Sequence, residues 1–484
     1  MNKNDILKGL EIRALSSEGQ GIAKPDGYTV FVKDTLPGDI VTVKVMKVKK
    51  NTAFARLVSI DEMSPDRVQA RCTMARPCGG CAVQELDYDK QLAFKDDKVY
   101  NCLLRIGGIP AKVLDEAHEE PIGMETPWRY RNKAQYPIGR DKDGRIISGF
   151  YAGRTHHIVE AEECFLNPPE FSIILRTFLT FCEENGAEPY NEETGKGLIR
   201  HFVIRKGFAT GEIMLMPVVT DLSRFTDRLR VALKEAMVGV PGLTTIVLNE
   251  NSKKTNVILG QKTETIYGPG YITDRLGDLT FRISPLAFYQ VNPVQALKIY
   301  EKALEYADLK GDENIYDLCC GIGTISLFAA KKAGHVYGIE SVPEAIEDAR
   351  ENAGINQISN VDFICAKAED YLAEAGSIKA DAVILDPPRA GMERSALEAI
   401  VSAGPSRIVY ISCDPATQAR DIKVFLAAGY HLSRFVAADQ FCHTSHVEVC
   451  CLLEQLKSAK EHIEITIDAE EYYRIKDSEK NADE

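Results

Sequence analysis

The segment Asn314–Thr324, which reads NIYDLCCGIGT, decides the fold of the C-terminal half of this chain. A short strand-like run ends in an acid, and two glycines then form a turn before a helical pattern begins. Glycine lets the backbone of such a turn lie close to a ligand. The spacing lacks the third glycine of a dinucleotide fingerprint and the Lys-Ser/Thr pair of a phosphate loop. The turn therefore predicts a nucleoside-sized site at a strand end.

Strand-like and helix-like segments alternate on both sides of this turn. Strands are expected at 335–340, 361–365, 382–386 and 407–411, and helices at 294–306, 325–332 and 343–352. This alternation is typical of an α/β fold with a mostly parallel sheet, whose active site lies at the carboxyl ends of the strands. Glu340 ends one of these strands, where an acid can accept hydrogen bonds from ribose hydroxyls.

The N-terminal part of the chain has a different pattern. Residues 28–32 and 39–48 alternate like strands around a turn at 36–39, and a five-stranded small barrel fits this length. Residues 1–60 carry ten Lys/Arg against six Asp/Glu, although the whole chain has a net charge of −13. Together with the basic and aromatic stretch at 130–137, these charges suit an RNA strand. Charge alone leaves a solvated surface equally open.

Length and composition bound the other possibilities. The chain has 484 residues, which suggests about three domains. It has no apolar run long enough to span a bilayer, and its first residues lack an apolar signal core, so we expect a cytoplasmic protein with no membrane partner. Its thirteen cysteines are therefore better interpreted as thiols, metal ligands or catalysts than as disulfides.

Two separated residues offer a specific chemistry. Cys413 follows a strand within 411–415, ISCDP, and Glu448 lies in a later strand-like run. A pyrimidine C5 becomes nucleophilic when a thiolate adds at C6, and a base must then remove the C5 proton. Cys413 can supply the thiol and Glu448 the base. Taken singly, a cysteine such as Cys413 is more often a buried small side chain, and an acid such as Glu448 is more often a surface residue.

A second group of thiols is spaced for a metal. Cys72, Cys78 and Cys81 follow a C-x5-C-x2-C pattern, and Cys164 is available as a fourth ligand. Four thiolates suit either zinc or an iron–sulfur cluster, and the spacing does not separate the two.

Several motifs carry a family resemblance. The glycine turn together with 386–388, DPP, resembles the class I S-adenosylmethionine-dependent methyltransferases. The motifs at 412–415, 446–448, 386–389 and 288–293 resemble those of the RNA uracil-5 methyltransferase family over almost all of the chain except the tail. The resemblance implies a catalytic pair and a set of contacts to S-adenosyl-L-methionine and the target base. The implied nucleophile is Cys413, the implied base is Glu448, and the implied contacts are Gln290, Tyr316, Gly321, Glu340 and Asp386.

The thiol motif is similar to that of the ribosomal-RNA branch of this family. It implies a [4Fe–4S] cluster on Cys72, Cys78, Cys81 and Cys164, and the N-terminal barrel resembles a TRAM domain, which is OB-like. The implied partner is 23S ribosomal RNA, and the expected protein is a monomer. The expected parts are a TRAM-like barrel, a central α+β RNA-binding domain, a class I (Rossmann-like) methyltransferase domain and a charged tail, at 1–62, 63–285, 286–456 and 457–484. A helix near 88–123 is expected to interrupt the central domain and to pack on the catalytic domain.

Two other functions remain open at this point. The DPP motif is also typical of amino-group methyltransferases, although an aromatic residue usually follows it and Arg389 follows here. That chemistry would not require Cys413. A cluster-bearing RNA-binding protein without catalysis is the second alternative. Covalent trapping by RNA that contains 5-fluorouracil would distinguish C5 methylation from both alternatives, because only the C5 mechanism traps the adduct.

Overall fold

The computed structural model describes residues 1–374 and 380–455, so the expected tail at 457–484 lies outside the described residues. The N-terminal part is one sheet around its own apolar core. It has six strands, one more than predicted: β1 Ile6–Glu11, β2 Ala14–Leu15, β3 Gly21–Ala23, β4 Thr29–Val32, β5 Ile40–Val48 and β6 Thr52–Glu62. Their spatial order is β1-β5-β6-β4-β3-β2. Alternating side chains of β5 are buried, as its period-two pattern predicts.

The segment expected as a helix near 88–123 consists of two helices and a strand, with bounds α1 Tyr88–Cys102, α2 Ala111–Ala117 and β7 His118–Ile122. Gly108, in a left-handed conformation, ends the turn that follows α1. Val99 and Leu114 are buried against the catalytic domain, in one core cluster with Phe425 and Phe435. β7 therefore belongs to the catalytic sheet although it precedes the central domain in the chain.

The central part is a seven-stranded sheet with two helices against it. Its elements are β8 Lys133–Arg140, β9 Ile146–Tyr151, β10 Ile158–Glu160, α3 Glu170–Asn185, β11 Ile199–Lys206, β12 Ile213–Val219, α4 Asp227–Met237, β13 Leu243–Glu250 and β14 Lys262–Tyr267. The spatial order is β10-β9-β8-β11-β12-β13-β14. Apolar side chains of α3 and α4 pack on one face of the sheet. A two-stranded hairpin, β15 Ile272–Leu276 and β16 Leu279–Ile283, leads to the catalytic domain.

The catalytic domain is a helix-covered sheet of eight strands, one of which is β7. Its other elements are α5 Pro293–Ala307, β17 Asn314–Leu318, α6 Thr324–Ala330, β18 His335–Glu340, α7 Pro343–Ile355, β19 Val361–Cys365, α8 Ala368–Glu374, β20 Ala382–Leu385, α9 Arg394–Ala403, β21 Arg407–Ser412, α10 Pro415–Ala427, β22 Tyr430–Ala438 and β23 Glu448–Gln455. The order is β19-β18-β17-β20-β21-β23-β22-β7. The predicted α/β fold is therefore confirmed, and separate apolar clusters cover the two faces of the sheet.

The first five strands in that order, β19 to β21, run parallel, and β23 is antiparallel to β21. The reversal brings the start of β23 to the carboxyl edge of the parallel strands, where ligands of such sheets bind. None of the helices described in residues 1–374 and 380–455 combines the length and apolar character that a bilayer-crossing segment requires.

Candidate active site

The glycine turn after β17 has the backbone geometry that its sequence requires. Cys319, Gly321 and Gly323 all have positive φ, at 68°, 55° and 81°. A Cβ atom on Gly323 would lie 2.7 Å from the ring of Phe363, so only glycine fits without a shift of that ring. Helix α6 then begins at Thr324. The turn is thus held close to the sheet, and its backbone borders a cleft.

The cleft is a cavity of about 380 Å³ at the carboxyl edge of the sheet. Glu340, Cys319 and Lys367 are among its lining residues. The Glu340 carboxylate accepts hydrogen bonds from the backbone N–H groups of Gly321 at 3.3 Å and Ser341 at 2.7 Å. Glu340 therefore fixes the glycine turn and also lies in the wall of the cavity.

Two further acids lie where strands β17 and β20 end. Burial raises the pKa of Asp317 to about 7, and its Oδ1 atom has no hydrogen-bond partner among the residues that the structure describes. Its other oxygen accepts a hydrogen bond from Ser326 at 2.5 Å. Desolvation and the nearby Asp317 raise the pKa of Asp386 to about 7. Such carboxylates favour a ligand that brings positive charge or N–H donors.

The other two residues with implied cofactor contacts lie differently. Gln290 precedes α5, and its Oε1 accepts a hydrogen bond of 3.1 Å from Gln440, which the sequence analysis did not identify. The ring of Tyr316 is buried in the core, with Tyr337 and Tyr371 in edge contact, and does not line the cavity. A contact from the Tyr316 position to a ligand would therefore involve its strand rather than its ring.

Cys413 and Glu448 come together through the strand register. Ser412 pairs with Val449 in the antiparallel ladder of β21 and β23, so Cys413 and Glu448 lie one residue beyond that pair on opposite strands. Glu448 is 4% exposed. Cys413 is half-buried and precedes the N-cap of α10, Asp414, whose carboxylate accepts hydrogen bonds from the first turn of the helix.

Burial is the largest cause of the pKa shifts of Cys413 and Glu448. Burial, followed by the charge of Glu448, raises the pKa of the Cys413 thiol to about 11, while Arg389 opposes this through its charge and a hydrogen bond. Burial and Asp386 raise the pKa of Glu448 to about 8, and Arg389 again opposes the shift. A thiol and a carboxyl of this kind, brought together by the strand register, can act as a nucleophile and a base.

An exposed aromatic ring lies close in the chain to Gln290 and was also missed. Phe288 lies two residues before Gln290, and 64% of its surface is exposed. Its place in the motif at 288–293 was the only sequence feature that pointed to it. An exposed ring is suited to stacking against an unpaired base.

The four thiols of the second group line one cavity of about 270 Å³, with Gln84, Arg131 and Lys133 in the same wall. Gln84 Nε2 lies 3.4 Å from the sulfur of Cys81 and can donate to it. Within residues 1–374 and 380–455, no three His, Cys, Asp or Glu side chains converge closely enough to hold a single metal ion.

The basic and aromatic stretch at 130–137 is largely internal, which corrects its interpretation as an RNA-stacking surface. Tyr130 and Tyr136 are buried, with exposed fractions of 1% and 3%. Their hydroxyl groups bond to the Cys442 carbonyl and to Asn167. These rings therefore cannot stack on bases, and the adjacent Arg131 and Lys133 face the thiol-lined cavity.

The parallel sheet, the glycine turn and the acid-lined cavity at its carboxyl edge define a class I S-adenosylmethionine-dependent methyltransferase. The model of the tRNA (Uracil-5-)-methyltransferase family matches residues 243–456, and that of the TRAM domain matches residues 10–58. The chain belongs to the uracil-5 family, and it is an S-adenosylmethionine-dependent RNA uracil-C5 methyltransferase with an N-terminal TRAM domain.

Relatives support this assignment over nearly the whole chain. An uncharacterized RNA methyltransferase of Halalkalibacterium halodurans is 42% identical over 456 residues, which are 94% of this chain and 98% of that protein. One from Clostridium tetani is 42% identical over 458 residues, covering 93% and 97%. The solved tRNA (uracil-54, C5)-methyltransferase of Pyrococcus abyssi, in complex with S-adenosyl-L-homocysteine, has a TM-score of 0.72 and 29% identity, covering 92% of this chain and 100% of that chain.

Proposed function

We propose that the enzyme methylates C5 of a uridine through a covalent bond between Cys413 and C6 of the ring. The opposition of Cys413 and Glu448 across β21 and β23 is the observation that carries this proposal. Methyl transfer to an amino group needs no thiol, so the pair favours carbon methylation over that alternative.

In the proposed reaction, the Cys413 thiolate forms a bond to C6, and the electron pair of the C5–C6 double bond moves towards C5 and O4. S-adenosylmethionine, when bound, supplies the methyl group that C5 takes up. Glu448 then accepts the C5 proton, the double bond re-forms, and the bond from C6 to sulfur breaks with its electrons returning to Cys413. Arg389 favours the charged forms of both residues, because it lowers both pKa values.

The residues proposed to hold the cofactor include one from the wall of the acid-lined cleft, Glu340. They are Gln290, Gly321, Glu340, Asp386 and the strand at Tyr316. The buried unpaired oxygen of Asp317 supports a positively charged ligand with N–H donors. Isothermal titration with S-adenosylhomocysteine tests this set, and we expect Glu340→Gln to weaken binding while Glu344→Gln, on the exposed start of α7, leaves it unchanged.

The test of the mechanism is a covalent trap. Enzyme incubated with cofactor and RNA containing 5-fluorouridine should gain the mass of the RNA after denaturation, because the fluorine cannot leave as a proton does. Cys413→Ala should not gain it. A wild-type enzyme that methylates RNA but forms no adduct would exclude the covalent route.

The proposed substrate is 23S ribosomal RNA in the cytoplasm, acted on by a monomer. The combination of TRAM domain and thiol motif supports it, through the resemblance to the ribosomal branch. A transfer RNA is the second candidate, since the similar Pyrococcus abyssi enzyme is named for uridine 54 of tRNA. Mapping 5-methyluridine in both RNA classes of a deletion strain decides between them, because only the true substrate loses the modification.

The four thiols are proposed to bind a [4Fe–4S] cluster. They line one cavity, and four cysteine thiolates are the ligand set of such a cluster, as the resemblance to the ribosomal branch implies. In a [4Fe–4S] cluster held by four cysteines, each thiolate is the terminal ligand of one iron. Protein purified without oxygen should be brown and contain about four iron and four sulfide per chain. Colourless protein with stoichiometric zinc would refute the cluster.

A further inference from the structure

The loop that carries the thiols is bonded directly to the segment that leads to the catalytic carboxylate. We call residues 439–446, between β22 and β23, the catalytic segment. Ala82 and Val83, which follow Cys81, both donate their backbone N–H to the carbonyl of His443, at 3.0 and 3.1 Å. His443 has a φ of 65°, a conformation uncommon for a residue with a side chain. The carbonyl thus accepts two bonds from the thiol loop at the cost of backbone strain.

The imidazole of His443 makes a second connection. It stacks on the indole of Trp128, with ring centroids 3.8 Å apart and an interplanar angle of 27°. The guanidinium of Arg71, the residue before the first thiol, lies over the rings of both Trp128 and Phe165, and Phe165 directly follows the last thiol. Through Arg71, the stacked rings are therefore connected to the residue before the first thiol and to the residue after the last thiol.

The catalytic segment also contacts the reaction site. The side chain of Gln440 donates to Gln290, and the carbonyl of Cys442 accepts a hydrogen bond from Tyr130 at 3.0 Å. Strand β23 begins at Glu448, five residues after His443. We therefore expect a shift of His443 to displace both Glu448, the proposed base, and Gln440, which donates to the proposed cofactor contact Gln290.

We propose that His443 is a positioning residue that couples the thiol-bound group to the catalytic segment, so that an ordered thiol site holds Glu448 and Gln440 in place. This inference rests on the proposed function, both for the cluster and for the covalent adduct. Coupling between two sites is reciprocal for binding free energies. An occupied active site should therefore also bind the iron more tightly, and we expect more tightly bound iron to leave more slowly.

The test uses the iron-loaded full chain and follows the rate at which iron passes to a coloured chelator. It is measured with and without the adduct trapped by 5-fluorouridine RNA. In the wild type the adduct should slow iron release by about tenfold, within the range typical of coupled sites. In His443→Asn it should slow release less than about twofold, because asparagine tolerates the positive φ but removes the ring that stacks on Trp128.

A second variant and a matched control make the result decisive. Trp128→Leu removes the other partner of the stack and should lose the protection as well. His335→Asn changes the same residue type on β18, away from the thiols, and should keep it. Equal release with and without adduct in the wild type overturns the inference, as does full protection in both stack variants, which would mean that RNA merely shields the iron. Absence of iron refutes the cluster, and absence of an adduct refutes the mechanism, so these failures are distinct.

Discussion

Cys413 and Glu448 lie opposite each other at the ends of two adjacent antiparallel strands, β21 and β23, which α10 and β22 separate in the chain. The last pair of the ladder, Ser412 with Val449, fixes this opposition. A register shift of one residue would move Glu448 away from Cys413 and would also displace the six consecutive buried side chains at the start of β23, so the packing of that strand helps to fix the position of the carboxylate. The geometry of the proposed catalytic pair is therefore set by the packing of the sheet core.

Replacement of Cys413 by alanine should abolish methyl transfer while RNA and S-adenosylhomocysteine still bind, because only the covalent step is lost. A filter-binding assay measures the affinity for RNA, and a calorimetric titration measures the affinity for S-adenosylhomocysteine. Cys365→Ala, an exposed thiol at the end of β19, is the matched control and should retain full activity. Substantial turnover by Cys413→Ala would contradict the mechanism.

Glu448→Gln should permit addition and methylation but slow proton removal by about 10²–10⁴-fold, as expected for a lost general base. Methylated RNA should therefore accumulate in covalent linkage to Cys413 and appear as a shifted band on a denaturing gel. Glu454→Gln, on the same strand, should release product normally. Free turnover without a shifted band in Glu448→Gln would mean that another group removes the proton.

The same substitution should change stability in a pH-dependent way. The pKa of Glu448 is about 8 in the folded protein against an ordinary value of 4.5. Between these values the folded protein holds a proton that the unfolded chain has lost, so this carboxyl lowers stability as the pH rises from 4.5 through 8. Glu448→Gln should therefore melt several degrees above the wild type at pH 9, with little difference at pH 4. Calorimetry at both pH values checks this, and a constant difference would contradict it.

Gly323→Ala should destabilise the protein by more than about 1–2 kcal/mol, which is the usual cost of a left-handed conformation alone. The added Cβ would also meet Phe363 at 2.7 Å. Because the turn borders the cofactor cleft, affinity for S-adenosylhomocysteine should fall as well. Gly354→Ala, with no atom near its Cβ in helix α7, should be neutral or slightly stabilising. Denaturant titration and calorimetric binding of both variants test the contrast.

Neutralising exposed lysines of the TRAM domain should weaken RNA binding. Lys47, Lys49 and Lys50 lie together at the exposed end of β5 and in the turn after it. Changing all three to glutamine should lower affinity and flatten its salt dependence, since each lost contact to a phosphate reduces the slope by about 0.7–0.9. The control is the double variant Lys310→Gln with Lys331→Gln. These lysines precede strands β17 and β18 of the catalytic sheet, away from the carboxyl ends of the strands, and their loss should leave the salt dependence of RNA binding unchanged. An unaltered slope in the triple variant would exclude this face from binding.

The sequence was sufficient to predict the α/β domain because its strands and helices are short, regular and consecutive. The glycine turn was predictable too, since few residues tolerate positive φ. The position of Glu448 beside Cys413 was not predictable from local pattern, because it depends on a long-range antiparallel pairing. The family resemblance supplied that pairing instead.

Other features of the site required the structure. Tyr130 and Tyr136 looked like base-stacking residues beside Arg131, but their rings complete a core that only tertiary packing creates. His443 and Gln440 gave no local signal, because their roles depend on contacts with residues far away in the chain.

The position of β7 has a consequence for how the chain is made. Its parallel partner is β22, through pairs such as His118 with Phe435, and β22 leaves the ribosome only after the whole central domain has been synthesised. Until then, the strand at 118–122 and the apolar face of α1 have no partner while the whole central domain is being completed. Unpaired strands and exposed apolar faces of this kind invite association between nascent chains. A fragment that begins at the hairpin of β15 would conversely lack the strand that covers the edge of β22, so the catalytic domain is expected to be soluble only when the segment from α1 to β7 is also present.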